Sequence, residues 1–176
     1  MEFATAGRQE VEEIAGFFAA VFAASESEAE GRLVGGLARD LILTVQETDI
    51  AVLTRREGPE LAGCIILTRM TFSEDARMVF LLSPVGVATA RQGQGIGTAL
   101  LRHGLAQMRA AGVDVVMTYG DPAYYGRIGF AQVTADQAAP PHPLRQPEGW
   151  QALWLDGEPL RPLRGGAHCA AVFDRA

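Results

Sequence analysis

The chain has 176 residues, 48% of them apolar, and a formal charge of −6, which suits a single globular domain with a sizeable core. All 15 basic residues are arginine, and neither lysine nor asparagine occurs. That excludes Schiff-base catalysis, covalently held pyridoxal phosphate and lysine-dependent phosphate loops, each of which needs an ammonium on a flexible stem. The scattered arginines form no basic stripe, which argues against nucleic acid as the principal partner.

Glu2–Thr5 reads as a short strand. From Gln9 to Ala23, Val11, Ile14, Phe17 or Phe18 and Val21 recur at three- and four-residue steps, the spacing of an amphipathic helix. The acids in this opening stretch stand where a secretory leader needs a positive region and an apolar core. No apolar run approaches the ~20 residues that span a bilayer, so a cytoplasmic protein without membrane contact is expected. A second, weaker helical pattern runs from about Glu28 to Leu41, with Leu33, Leu37 and Leu41 on one line. Ile50–Thr54 and Leu61–Met70 flank a turn at Glu57-Gly58-Pro59 and predict an antiparallel hairpin. Arg77–Leu82 is a third strand. It is expected to break at Ser83-Pro84-Val85-Gly86-Val87, where proline withdraws a ladder donor and glycine loosens the backbone, splaying the sheet locally.

A glycine-rich turn then leads into a helix that stops at Gly112, with Leu101, Leu105 and Met108 as its buried line. Val113–Tyr119 is a strand, and Pro122 starts a short helix ending near Gly129. A proline-rich, irregular stretch follows from Thr134 to Arg164, within which Trp150–Leu155 is strand-like, as is the later Ala167–Phe173. Cys64 and Cys169 lie far apart in apolar runs, as buried thiols do, and no Cys/His spacing suggests a metal site. These elements predict one α/β domain with a mixed sheet.

The most informative segment is Gln92-Gly93-Gln94-Gly95-Ile96-Gly97-Thr98, between a strand and a helix N-terminus. The first helical turn presents unsatisfied N–H groups, and glycines let an anion approach them without a Cβ in the way. A tight turn that merely needs unusual dihedrals is the competing reading. A dinucleotide fingerprint fails because Thr98 stands where its last glycine belongs. A triphosphate loop fails for want of lysine. A pyrophosphate held by backbone amides remains, and coenzyme A fits that description.

The run Val87-Ala88-Thr89-Ala90-Arg91-Gln92-Gly93-Gln94-Gly95-Ile96-Gly97 is similar to the acyl-CoA signature of the GNAT superfamily of N-acetyltransferases, with Gln92, Gly95 and Gly97 on its fixed positions. Tyr125-Gly126-Arg127-Ile128-Gly129-Phe130 resembles that superfamily's second landmark, a tyrosine four residues before Gly-Phe. The stretch Gly120–Tyr125 resembles one bacterial branch of predicted acetyltransferases. The resemblance covers about Ile50 to Val133 and grows loose over the last forty residues.

This resemblance implies a GNAT fold: a mixed, mostly antiparallel sheet, splayed at the cofactor site and flanked by helices. Residues 1–176 would form one domain, with a cofactor core at about 50–133 and a variable extension at 134–176. It implies that acetyl-CoA is the donor and that no metal is needed. The pantetheine arm would lie along Val85, Gly86 and Val87, and the pyrophosphate on amides from Gln92 through Gly93, Gln94, Gly95, Ile96 and Gly97 to Thr98. A backbone N–H near Val87 would meet the charge that builds on the thioester oxygen. Tyr125 would contact the cofactor and serve as general acid for the leaving thiolate, the competing reading being two aromatics, Tyr124 and Tyr125, packed on the sheet.

The base is open among Glu47, Glu74, Asp75, Asp121 and a water chain. The superfamily's asparagine upstream of the tyrosine has no equivalent in this chain, and Asp121 occupies that neighbourhood. His103, beside Arg102 and near Gln107, reads as a surface or partly satisfied histidine of the long helix, and spacing identifies no catalytic partner for His142 or His168. Trp150, Trp154 and Phe173 either line the acceptor side or belong to the core, and the Pro140–Pro143 loop could border the acceptor pocket. The expected reaction is direct transfer of acetyl to a primary amine of a small molecule or peptide; having no lysine, the protein cannot acetylate its own side chains, so the acceptor is another molecule or its own N-terminus. A non-catalytic acyl-CoA-binding module and a transferase of longer acyl groups are the alternatives. Many relatives are dimers, which leaves a homodimer open.

Overall fold

The structure is a computed structural model that describes residues 1–175. Its elements are β1 (Glu2–Thr5), α1 (Val11–Ser25), α2 (Glu28–Thr44), β2 (Ile50–Glu57), β3 (Glu60–Phe72), β4 (Asp75–Val87), α3 (Ile96–Ala110), β5 (Val115–Tyr119), α4 (Pro122–Gly126), β6 (Ala131–Gln132), β7 (Trp150–Trp154) and β8 (Ala167–His168), with short 3-10 turns between some of them. The strands hydrogen-bond in the order β1-β2-β3-β4-β5-β7-β6, with β8 on β3. The β4–β5 pair is parallel, whereas β1–β2, β3–β8, β5–β7 and β6–β7 are antiparallel. Among the described residues no helix is long and apolar enough to cross a membrane.

Two compact units divide the chain, and the unit boundaries fall inside β3, β4 and α3. One holds residues 1–67, 84–104 and those from Ala170 onward; the other holds 68–83 and 105–169.

In the first unit α1 and α2 pack closely, and the reason lies in α2's glycines. A Cβ on Gly31 would fall 2.5 Å from the Ala19 carbonyl oxygen, and one on Gly35 2.9 Å from that of Ala15. Ser27 caps α2 by accepting the Glu30 N–H at 3.1 Å. Ile14 and Phe18 of α1 meet Val34, Ala38, Leu41 and Ile42 of α2 over Val52, Cys64 and Ile66. The expected line on α2 is therefore corrected. Leu41 is in the core and Leu37 partly so, but Leu33 is 44% exposed. The stripe that touches α1 is set by Gly31 and Gly35, and it turns Leu33 outward.

Cys64 and Ile66 face α1 and α2, so the alternate β3 residues face the other way. There Gly63 lies against Ile96 and Leu100 of α3, and Gly104 of α3 sits over Ile65, Leu53 and Leu67. The buried line expected for α3 is present in Leu101, Leu105 and Met108, joined by Leu100.

β4 is continuous from Asp75 to Val87, where a break was expected at Pro84 and Gly86. The glycine has another purpose: a Cβ at Gly86 would lie 3.0 Å from the Phe18 ring and 3.2 Å from that of Phe17. The register with β5 ends at the Leu82–Thr118 pair, while β4 itself runs on to Val87.

In the second unit the proline-rich stretch is tethered at several points. The Trp150 indole donates to the Ala138 carbonyl at 2.8 Å, and the Gln146 N–H donates to the Tyr119 hydroxyl at 2.8 Å. Trp154 lies beneath the guanidinium groups of Arg77 and Arg161, at 4.7 and 4.9 Å from its ring. Both tryptophans are buried, which decides for core at Trp150 and Trp154. The strand expected over Ala167–Phe173 shrinks to β8, paired with only Thr71 and Phe72. Ala171–Arg175 is a 3-10 turn, because Val172 leaves the strand path to join the α1–α2 core with Phe173 packed beside it.

Candidate active site

Val85, Gly86, Val87 and the segment Gln92–Thr98 all lie in the first unit, contiguous in the chain. Strand β4 ends at Val87, and the next residue, Ala88, donates its N–H to the Ala62 carbonyl at 2.9 Å. The Gln92 side-chain amide donates to the Val87 carbonyl at 3.2 Å, which closes the chain between strand and turn. Arg91, at the foot of the turn, pairs with Glu57 at the end of β2. Neither contact was foreseen from sequence, although Arg91 and Gln92 are long side chains at the foot of the turn.

Gly93 and Gly95 have φ of +77° and +78°, a conformation that costs any residue with a Cβ about 1–2 kcal/mol. Nothing lies within 4 Å of where a Cβ would stand on either. Helix α3 begins at Ile96, and the Gly95 carbonyl accepts the Ala99 N–H at 3.0 Å. The N–H groups of the first helical turn have no acceptor within the helix. The result is a bare, glycine-lined mouth at the positive end of a 15-residue helix, suited to an anion with several oxygens.

Tyr125 belongs to the second unit and has its own support. Its carbonyl accepts the N–H groups of Ile128 at 3.0 Å and Phe130 at 3.1 Å, and its N–H donates to the Asp121 carbonyl at 3.1 Å. Gly129, at φ +120°, lets the chain double back. That brings the Phe130 ring 5.6 Å from the Tyr125 ring, edge-on. The spacing of tyrosine and Gly-Phe is thus a tight return that fixes the phenol from behind. Gly120 serves the same end, since a Cβ there would lie 2.8 Å from the Tyr125 ring.

Tyr125 is buried, and burial pushes its phenol up to about 12, with Tyr124 and Asp121 adding to the effect and a hydrogen bond to Thr118 opposing it. The proton therefore stays on the phenol at neutral pH, as an acid requires. Tyr124 stands at 80° to it and is partly exposed, as adjacent helical residues must diverge.

Among the acids, Asp75 is fully engaged. Its carboxylate accepts from Arg77 Nε at 2.8 Å and Nη2 at 2.5 Å, and from the main-chain N–H groups of Arg77 at 3.2 Å and Arg164 at 3.1 Å. Arg77 and these amides hold it well below the usual carboxylate range. A carboxylate so occupied is a poor base, and Asp75 is removed from that role. Asp121 caps α4, accepting the Ala123 N–H at 2.9 Å. Glu47 and Glu74 are exposed. The His103 ring stacks on Phe3 at 4.3 Å, with Arg55 over the same phenyl ring, and so acts as packing.

A family model described as the acetyltransferase (GNAT) domain matches residues 2–133. An N-acetyltransferase is the class that this fold and turn define. YjhQ of Escherichia coli K12, named an uncharacterized N-acetyltransferase, is 33% identical over 143 residues, 74% of this chain and 77% of that protein. A GNAT acetyltransferase from Brucella melitensis, solved in complex with acetyl-CoA, superposes with a TM-score of 0.72 at 28% identity, covering 98% of this chain and 97% of that one. The E. coli protein YhbS, solved with CoA, gives a TM-score of 0.76 at 22% identity over 99% of this chain and 92% of its own. The chain belongs to the GNAT family of N-acetyltransferases.

Proposed function

We propose that the protein moves the acetyl group of acetyl-CoA to a primary amine by direct attack in a ternary complex, with no covalent enzyme intermediate. The observation that carries this reading is the open mouth at Gly93 and Gly95 in front of α3. A pyrophosphate fits it, because the donors are main-chain N–H groups and the space a Cβ would take is free. The solved relative from Brucella melitensis, described with acetyl-CoA, supports the same ligand.

When bound, the coenzyme supplies an activated acetyl thioester. In this reading the amides from Gln92 to Thr98 hold the pyrophosphate, and the backbone of Val85, Gly86 and Val87 holds the pantetheine arm. The Val87 region also offers an N–H to the carbonyl oxygen as charge builds there. Tyr125 gives its proton to the departing thiolate. Cys64 does not relay the acetyl group: it is fully buried, and burial pushes its thiol far up. The proposed chemistry calls for no metal ion.

Residues 1–176 are proposed to act as one catalytic domain, with 50–133 as the cofactor core and 134–176 as an extension. A reducing, cytoplasmic setting suits the buried Cys64 thiol.

The test is release of free thiol from acetyl-CoA over a panel of amino acids, polyamines, aminoglycosides and peptides with free N-termini. A thermal shift with CoA is recorded alongside. The reading predicts both a shift and amine-dependent thiol release. A shift with no release across the panel would instead indicate a binding module, and no shift would remove the cradle assignment.

A further inference from the structure

Strands β5 and β7 pair from Val115 with Trp154 to Tyr119 with Trp150, so the next facing residues are Gly120 and Gly149. Half of that pair is made: the Gly120 N–H donates to the Gly149 carbonyl at 3.0 Å. The reciprocal bond is not, because the Gly149 N–H turns instead to the Gln146 carbonyl at 2.9 Å. In a continued antiparallel ladder the Gly120 carbonyl would take that N–H. Here it accepts from the side chain of Gln151, whose Nε2 lies 3.2 Å from it and 3.2 Å from the Gly149 carbonyl. Gln151 is 1% exposed. Both partners are carbonyls, so the nitrogen end of the amide must face them, one hydrogen for each.

The corner secured in this way carries Tyr125. A Cβ on Gly120 would fall 2.8 Å from the Tyr125 ring, and one on Gly149 3.1 Å from the Gly120 carbonyl oxygen. Gly120 therefore backs onto the phenol ring, and Gly149 onto Gly120. Asp121, next in the chain, opens α4: its carboxylate accepts the Ala123 N–H at 2.9 Å and its carbonyl the Tyr125 N–H at 3.1 Å.

The geometry points to Gln151 as a positioning residue for Tyr125: its buried amide stands in for the missing ladder bond and fixes the Gly120–Asp121 corner, against which the phenol rests and from which its helix starts. This rests on the reading of Tyr125 as general acid. A proton donor is effective only when held close to the atom it serves, so a small displacement that the fold tolerates still lowers the rate. The bonds from Ile128 and Phe130 to the Tyr125 carbonyl hold the residue from the C-terminal side. The Gly120 side is left to Gln151.

The experiment reads the phenol's position and the rate separately. Fluorotyrosine is placed at position 125, and its ¹⁹F NMR signal is recorded in the Gln151 protein and in Gln151→Met, which fills a similar space without the donor. With natural tyrosine, and again in Tyr125→Phe, Gln151→Met is assayed for thiol release from acetyl-CoA with an amine accepted in the panel above, and for the Kd of CoA. The proposal expects the ¹⁹F signal to shift or split in Gln151→Met, kcat to fall about tenfold, and the Kd for CoA to hold. Added to Tyr125→Phe, Gln151→Met should lower kcat no further, because misplacing an acid has no effect once the acid is gone; a merely structural role would lower it equally in both. An unmoved ¹⁹F signal, or equal falls in kcat in the two backgrounds, overturns the proposal. Should Gln151→Met not fold, Gln151→Asn, an amide one methylene too short to reach, takes its place under the same criteria. Failure of the general-acid reading looks different: Tyr125→Phe then keeps the parent's kcat while the ¹⁹F signal still moves.

Discussion

The side-chain amide of Gln92 donates to the main-chain carbonyl of Val87 across 3.2 Å, tying the glycine turn to the strand it leaves. Gln92→Ala removes that tie without touching the core. The net worth of such a bond is about 0.5–1.5 kcal/mol, so the Kd for CoA, read by calorimetry, should rise roughly two- to tenfold. The proposed general acid is Tyr125, not Gln92, so kcat at saturating acetyl-CoA should hold.

Gly95→Ala and Gly86→Ala should fail in opposite ways. At Gly95 the surroundings are open and φ is +78°, so the free protein should lose only about 1–2 kcal/mol, while a methyl group enters the space proposed for the pyrophosphate. At Gly86 the added Cβ meets the Phe18 ring at 3.0 Å, an overpacking that costs roughly 1–3 kcal/mol. Paired measurements of urea unfolding and CoA affinity should show Gly95→Ala weaker in binding than in stability. For Gly86→Ala the stability loss should dominate.

Asp75 provides a pH test. Its folded-state value is depressed, chiefly by Arg77, so its stabilisation is present above its unfolded value of about 3.9 and is lost as pH falls below that toward the folded value. Asp75→Asn should cost roughly 1.5–3 kcal/mol at neutral pH. The gap between variant and parent should narrow below about pH 4, as urea unfolding at several pH values would record. The pH profile of kcat/KM should keep its shape, because Asp75 is not the base.

On α2, Leu33→Ser should change stability by less than about 0.5 kcal/mol. Gly35→Ala, whose Cβ would fall 2.9 Å from the Ala15 carbonyl oxygen, should cost roughly 1–3 kcal/mol. Thermal unfolding of the two variants makes the comparison.

That contrast shows what the sequence could and could not disclose. Periodicity finds α2 but chooses its largest residues for the core, whereas close approach of two helices is made by the smallest, Gly31 and Gly35. The glycine turn and the Tyr125–Phe130 return were legible because their backbone needs are local: positive φ at Gly93, Gly95 and Gly129. Long-range bonds leave no such mark. The capture of Asp75 by Arg164, 89 residues away, and the departure of Val172 from its strand toward the helices depend on where the chain returns. Thr118 lies between the two cases. A hydroxyl in the apolar run Val113–Tyr119 marks a buried polar group, but its partner is decided only when β4 and β5 pair.

Turnover by Tyr125→Phe tests the assignment of the general acid without an intermediary. The phenol sits near 12 and keeps its proton at neutral pH, so its loss removes an acid and leaves the ring, its edge contact with Phe130 and the glycine turn in place. Parent and variant are compared by thiol release from acetyl-CoA with an accepted amine, and by calorimetry with CoA. Proton donation by Tyr125 predicts a fall in kcat of about 10²–10⁴, or roughly 3–5 kcal/mol of barrier, with the Kd for CoA unchanged. A variant that turns over at the parent's rate would refute it.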